Sequence, residues 1–170
     1  RFIAYDSGSS HFEYSTDGIT WTSKVDPNAS YCMAYGKGKY ISFGYNGKIS
    51  YSEDLDTWID NTIISTSSTF QSAIYADGRF IAILSSSNNT AVYSDDGITW
   101  NETTLPQSRS WNICCYGNNK YILIEKTFGN IVCSEDCVIW KDTCPIIAKD
   151  NENVTDDVSD ALNINKTYYI

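Results

Sequence analysis

A seven-residue pattern, Ser-x-Asp-x-x-x-Trp, returns four times at near-constant spacing and constrains this chain more than any other feature. Two copies carry Asp-Gly: Ser15-Thr16-Asp17-Gly18-Ile19-Thr20-Trp21 and Ser94-Asp95-Asp96-Gly97-Ile98-Thr99-Trp100. Two follow the same plan without the glycine: Ser52-Glu53-Asp54-Leu55-Asp56-Thr57-Trp58 and Ser134-Glu135-Asp136-Cys137-Val138-Ile139-Trp140. Successive tryptophans lie 37, 42 and 40 residues apart. A repeat of that length implies stacked or radial copies of one supersecondary unit.

A second motif precedes the heptads. It reads Ala34-Tyr35-Gly36-Lys37-Gly38-Lys39-Tyr40-Ile41, then Ile74-Tyr75-Ala76-Asp77-Gly78-Arg79-Phe80-Ile81, then Cys115-Tyr116-Gly117-Asn118-Asn119-Lys120-Tyr121-Ile122, and Arg1-Phe2-Ile3 is the tail of a further copy. A Gly/Asn turn followed by a base, an aromatic and Ile marks a hairpin. One repeat therefore holds four short strands, a to d. In the second repeat the expected strands are residues 30–35, 39–45, 48–52 and 57–62. Asn46-Gly47 favours a type I′ turn between b and c. The heptad turns c into d, its Asp capping turn amides and its Gly taking positive φ. The heptad Trp is expected to pack between neighbouring units. No helical periodicity of useful length occurs.

Four antiparallel strands in such a repeat form a β-propeller blade. The expected fold is all-β: a propeller of about four four-stranded blades, over residues 1–29, 30–69, 70–109 and 110–147. Residues 148–160 read as an acidic insertion or linker, carrying Asp150, Glu152, Asp156, Asp157 and Asp160. They lack the glycine and terminal glutamate of a calcium loop, so no metal site is expected. Residues 161–170 read as a closing or donated β-strand. The pattern starts at strand b and stops just after the next a-to-b turn, in mid-blade. A longer propeller, closure on the first blade, or addition to the next molecule all fit.

The heptads resemble the Asp-box, or BNR, repeats of sialidases and related β-propellers, and the Tyr-Ser-x-Asp-Gly-x-x-Trp repeats of secreted and phage-associated propellers. The resemblance covers Arg1 to about Lys141, with one residue fewer between Asp and Gly than the usual box. It implies that Ser15, Asp17, Trp21, Ser52, Asp54, Trp58, Ser94, Asp96, Trp100, Ser134, Asp136 and Trp140 are structural, since in that family the box is a turn away from the catalytic centre. Sialidase chemistry uses three arginines to clamp a carboxylate. Here Arg1, Arg79 and Arg109 are the whole complement, and two of them fill the repeat position of Lys39 and Lys120. No catalytic residue is therefore assigned, and a sialidase-like hydrolase is the least favoured reading. His11 is the only histidine, which removes most Ser/His and Cys/His schemes and argues against structural zinc.

The net charge of −9 disfavours nucleic-acid partners, which require basic patches. No apolar run approaches the roughly 20 residues of a membrane helix. Sequons at Asn28, Asn88, Asn101, Asn153 and Asn165 are glycosylation candidates. Cys32, Cys114, Cys115, Cys133, Cys137 and Cys144 are disulfide candidates. Trp111 lies outside the heptads beside Arg109, and the two are the candidate surface contact. The sequence points to a secreted, non-enzymatic glycoprotein without cofactor. It would be a structural subunit of an extracellular assembly or fibre, joined to itself through terminal strands. A carbohydrate- or protein-binding propeller is the alternative.

Overall fold

The computed structural model of the chain describes residues 1–5, 9–28, 30–61, 68–85 and 88–142. Cys144, Asn153, Asn165, the side chain of Asn88, and the segments 148–160 and 161–170 lie outside the described residues. The fold is a β-propeller built from four antiparallel sheets, one per sequence repeat. The first blade is β1 (Phe2–Tyr5), β2 (His11–Ser15) and β3 (Thr22–Val25). The second is β4 (Cys32–Gly36), β5 (Lys39–Phe43), β6 (Ile49–Ser52) and β7 (Ile59–Asp60). The third is β8 (Phe70–Ala76), β9 (Arg79–Leu84), β10 (Asn88–Ser94) and β11 (Asn101–Arg109). The fourth is β12 (Trp111–Gly117), β13 (Lys120–Glu125) and β14 (Ile131–Ser134).

The first blade begins at β1, the strand b expected there, and in the fourth the described part of strand d is a bridge between Cys133 and Lys141. The turns follow the sequence. Lys37-Gly38, Asp77-Gly78 and Asn118-Asn119 all take positive φ at both positions, as type I′ hairpins require. Asn46 and Gly47 do the same, closed by the Lys48 amide donating to the Tyr45 carbonyl at 3.0 Å.

Strand alternation here sorts side chains between two interfaces rather than between core and water. In β9, Phe80, Ala82 and Leu84 face the second blade, where they join Ile41 and Phe43. Ile81 and Ile83 face the fourth, with Tyr121 and Leu123. Middle strands therefore read as almost continuous apolar runs. Burying each such side chain contributes about 1.5–3 kcal/mol, so the packing between blades supplies most of the core. The innermost strands β4, β8 and β12 run side by side, β8 in the middle.

Candidate functional site

The four heptads form one repeated hydrogen-bonded turn. In the third, Ser94 Oγ donates to Asp96 Oδ1 at 3.0 Å and accepts the Gly97 amide at 2.8 Å. Asp96 Oδ1 also accepts the amides of Ile98 (2.8 Å) and Thr99 (2.7 Å). Ser15–Asp17 and Ser52–Asp54 repeat this arrangement, and Ser134–Asp136 repeats the serine–aspartate bond and the two amides on Asp136. The amides of Thr20 and Ile19 hold the Asp17 carboxyl down at about 2. At Asp96 partial burial pushes the other way, but the Ile98 and Thr99 amides outweigh it and the value is again about 2. Asp54 and Asp136 are lowered by the same amide donors, from Thr57 and Asp56, and from Ile139 and Val138. Carboxylates so fully engaged at the chain's own turns act as turn locks.

The fourth heptad position always takes positive φ: Gly18 (76°), Leu55 (75°), Gly97 (75°) and Cys137 (59°). A Cβ on Gly97 would stand 3.0 Å from Ile41 Cδ1 of the preceding blade. Leu55 and Cys137 accept the left-handed conformation and bury their side chains completely.

The second, third and fourth boxes are also held by residues in or next to the outer strand of the blade before. Lys24 pairs with Asp56, Asn61 Nδ2 donates to the Ile98 carbonyl at 2.6 Å, and Thr103 Oγ1 donates to the Val138 carbonyl at 3.1 Å. The tryptophans follow the same direction. Trp58 packs edge-on to Phe12 (6.0 Å between centroids), and Trp100 lies 5.3 Å from Phe43. Trp140 joins Ile81, Ile83 and Leu105. Trp21 belongs to the first blade and is 41% exposed.

The three arginines are apart in role. Arg1 lies over the Tyr14 ring, 5.8 Å from its centroid. Arg79 pairs with Asp95 at 2.6 Å, stacks over Tyr93 at 4.9 Å, and donates to the Asp136 carbonyl. Lys120 makes the equivalent pair with Glu135 at 2.6 Å. Arg109 pairs with Glu125 at 3.3 Å and donates to Gln107. Arg79 and Arg109 are thus committed to contacts within and between blades.

Three residue assignments made from the sequence are corrected. Trp111 is not a surface contact: it is 1% exposed and lies in the core between the third and fourth blades. It opens β12, whose inner face packs on β8. Asn28 cannot be a glycan acceptor in this fold, because it is 6% exposed and its Nδ2, the atom a glycan would need, donates to Ser50 Oγ at 3.0 Å and to Ser42 at 3.2 Å. Cys32, Cys114, Cys115 and Cys137 are free thiols rather than disulfide partners. Burial raises the pKa of Cys32, Cys114 and Cys115, and pushes Cys137 up to about 12. None of the four is an activated nucleophile. Cys133 is disulfide-bonded. Asn101 is exposed.

Sequence reasoning missed the cluster that contains Asn28. Asp26 accepts the amides of Asn28 (3.0 Å) and Ser30 (2.8 Å) and the hydroxyls of Ser42 (3.0 Å) and Ser30. Ser50 extends it to Asp60 at 2.9 Å. The cluster pins the linker between the first two blades to the second sheet. Its signal was Ser42, a polar residue inside a strand whose counterparts are Ala82 and Leu123.

A groove of about 550 Å³ runs between the first two blades, along β1 and beside β4. Its lining includes Arg1, Tyr5, Met33, Tyr35, Tyr40 and Glu53. Among the described residues β1 pairs only with β2, and its other edge faces this groove. In the later blades the corresponding edge is covered by strand a. The site offers backbone donors and acceptors, aromatic faces and one base. Among the described residues no cluster of three or more metal-ligating side chains occurs. No helix there is long and apolar enough to cross a membrane.

No protein-family model matches the chain, and no curated protein matches it. Solved structures do. The chain is similar to virginiamycin B lyase from Staphylococcus aureus, with a TM-score of 0.68 and 13% identity over 79% of this chain and 48% of that one. It is similar to a streptogramin B lyase, with a TM-score of 0.69, 13% identity and the same coverage. YCF48 bound to D1 peptide follows with a TM-score of 0.53 and 16% identity, over 77% of this chain and 45% of that one. The chain spans about half the length of these structures, and at such identities the likeness is one of fold: a β-propeller.

Proposed function

We propose that the chain is a non-catalytic structural subunit of an extracellular assembly, joined head to tail by strand complementation. The observation that carries this reading is a difference within the repeat: strand a pairs with strand b in the later blades, whereas among the described residues β1 pairs only with β2, beside the groove against β4. A strand edge pairs with an added strand supplied by its own chain or by another. Residues 161–170 supply a β-prone sequence matching an a-to-b turn, the element that covers the equivalent edge in the other blades. The donor is the same chain or the next one. The box geometry supports the proposed kinship with Asp-box propellers in their structural role. Compartment follows from chemistry: the disulfide at Cys133 favours an oxidising environment, and exposed Asn101 is the best described acceptor for a glycan.

Deleting residues 157–170 tests the reading. Light scattering and electron microscopy should show assembly lost while the second to fourth blades keep their β-sheet circular dichroism. A truncated chain that still assembles would sink strand complementation. A second reading, a module that binds an extended peptide, is favoured by the same groove and its tyrosines. It predicts saturable peptide binding by a chain that stays monomeric.

A further inference from the structure

The chain builds one kind of interface three times between its described blades, and the outer faces of the first and fourth of these blades carry the two halves of that interface. The later blade contributes a strand-b aromatic, the fourth box position and the box tryptophan. The earlier blade contributes a patch from its b and c strands. Between the second and third blades these are Phe80, Gly97 and Trp100 against Ile41, Phe43 and Ile49.

On the first blade the residues matching the later-blade half are Phe2, Gly18 and Trp21. Phe2 is 44% exposed, whereas its counterpart Phe80 is fully buried. On the fourth blade the residues matching the earlier-blade half are Ile122, Ile124 and Ile131. In β13 the alternation points Tyr121 and Leu123 at the third blade and leaves Ile122 and Ile124 on the opposite side, half-buried. Ile131, paired in register with Ile124, is 37% exposed, while its counterpart Ile49 is buried. Among the described residues, an aromatic knob face on the first blade and an isoleucine patch of matching design on the fourth thus have no neighbouring blade packed on them.

We infer that the open face of the first blade docks on the open face of the fourth blade of a second copy, head to tail. Trp21 and Phe2 of one copy sit on Ile122, Ile124 and Ile131 of the other, and Gly18 meets Ile122 as Gly97 meets Ile41. The contact is heterologous: each copy uses a different surface at each end. The inference rests on the assembly reading above and assigns that assembly a packing interface separate from any donated strand.

Trp21→Glu and Ile131→Glu each place a charge on an already exposed position of one face. The full 170-residue chain and both variants are compared by analytical ultracentrifugation over a concentration series, with circular dichroism melts to confirm that each folds. The wild type should form species heavier than the monomer, and each variant alone should lose them. Mixed in equal amounts, the variants should recover a dimer, because one good face of each kind remains. Wild type that is monomeric throughout overturns the inference, and leaves the faces to a different partner or to further blades. Variants that assemble like wild type overturn it, as does a mixture that stays monomeric. Assembly that survives deletion of residues 157–170 but not Trp21→Glu would refute strand donation alone. The reverse pattern would refute the face contact alone.

Discussion

A carboxylate that accepts two backbone amides and a serine hydroxyl is worth most when ionised, so the boxes make stability depend on acid. Asp17 and Asp96 stand at about 2 in the folded chain, below the ordinary 3.8, and Asp54 and Asp136 are lowered as well. Because the folded values are depressed, the unfolded chain takes up protons first. The contribution is complete above the unfolded value of about 4 and is lost as the pH falls from there towards 2. The urea midpoint should therefore drop across that window, and Asp96→Asn should flatten part of the drop. An unchanged acid profile in the variant would show the box carboxylate to be a bystander. Leu55 tests the opposite balance. Its left-handed backbone costs about 1–2 kcal/mol, while emptying its buried site costs about 2–5 kcal/mol. Leu55→Gly relieves the first and incurs the second, so a net loss of about 1–3 kcal/mol is expected in urea denaturation. A gain would mean that strain dominates.

At the scale of strands and turns, closeness between blades is set by small residues at fixed places. Gly36 lies flat against Tyr75 of the next blade, and a Cβ there would stand 2.2 Å from the ring. Gly36→Ala should force β4 from β8 and cost about 1–3 kcal/mol, as overpacking does, read as a lower melting temperature. Asn28→Ala should cost about 1–3 kcal/mol by breaking the buried cluster, and the folded protein should show no glycan on Asn28 by peptide mass spectrometry. Hairpins and boxes were legible in the sequence because their signals are local: Asn46-Gly47, Asp77-Gly78 and the Ser-x-Asp spacing each specify a turn within four residues. Asn28 and Trp111 were not, because a sequon and an isolated aromatic say nothing of burial. Each was decided by a partner far along the chain, Ser50 for Asn28 and the apolar core of the third blade for Trp111. The disulfide reading failed for four cysteines for a related reason. A small apolar thiol suits a packed position as well as it suits a bridge, and the repeat places Cys137 where glycine or leucine otherwise stands.

Among the described residues the packing runs between consecutive blades, so stability is approximately a sum of blades and interfaces. Thiol chemistry can follow this from inside. Cys115 is half-buried, while Cys32, Cys114 and Cys137 are buried. Under native conditions an alkylating reagent should modify Cys115 first among the four, and reach the others only as the interfaces open in denaturant. Simultaneous labelling of all four would mean that the blades separate as one unit. The tryptophans give the series an optical reading as well. Trp100 and Trp58 are half-buried and Trp111 and Trp140 buried, each with packed neighbours, while Trp21 alone of the five is exposed. One fluorophore in five should therefore emit at long wavelength and yield to acrylamide. A blue shift of that single component on raising the protein concentration would count covered ends directly, without a label.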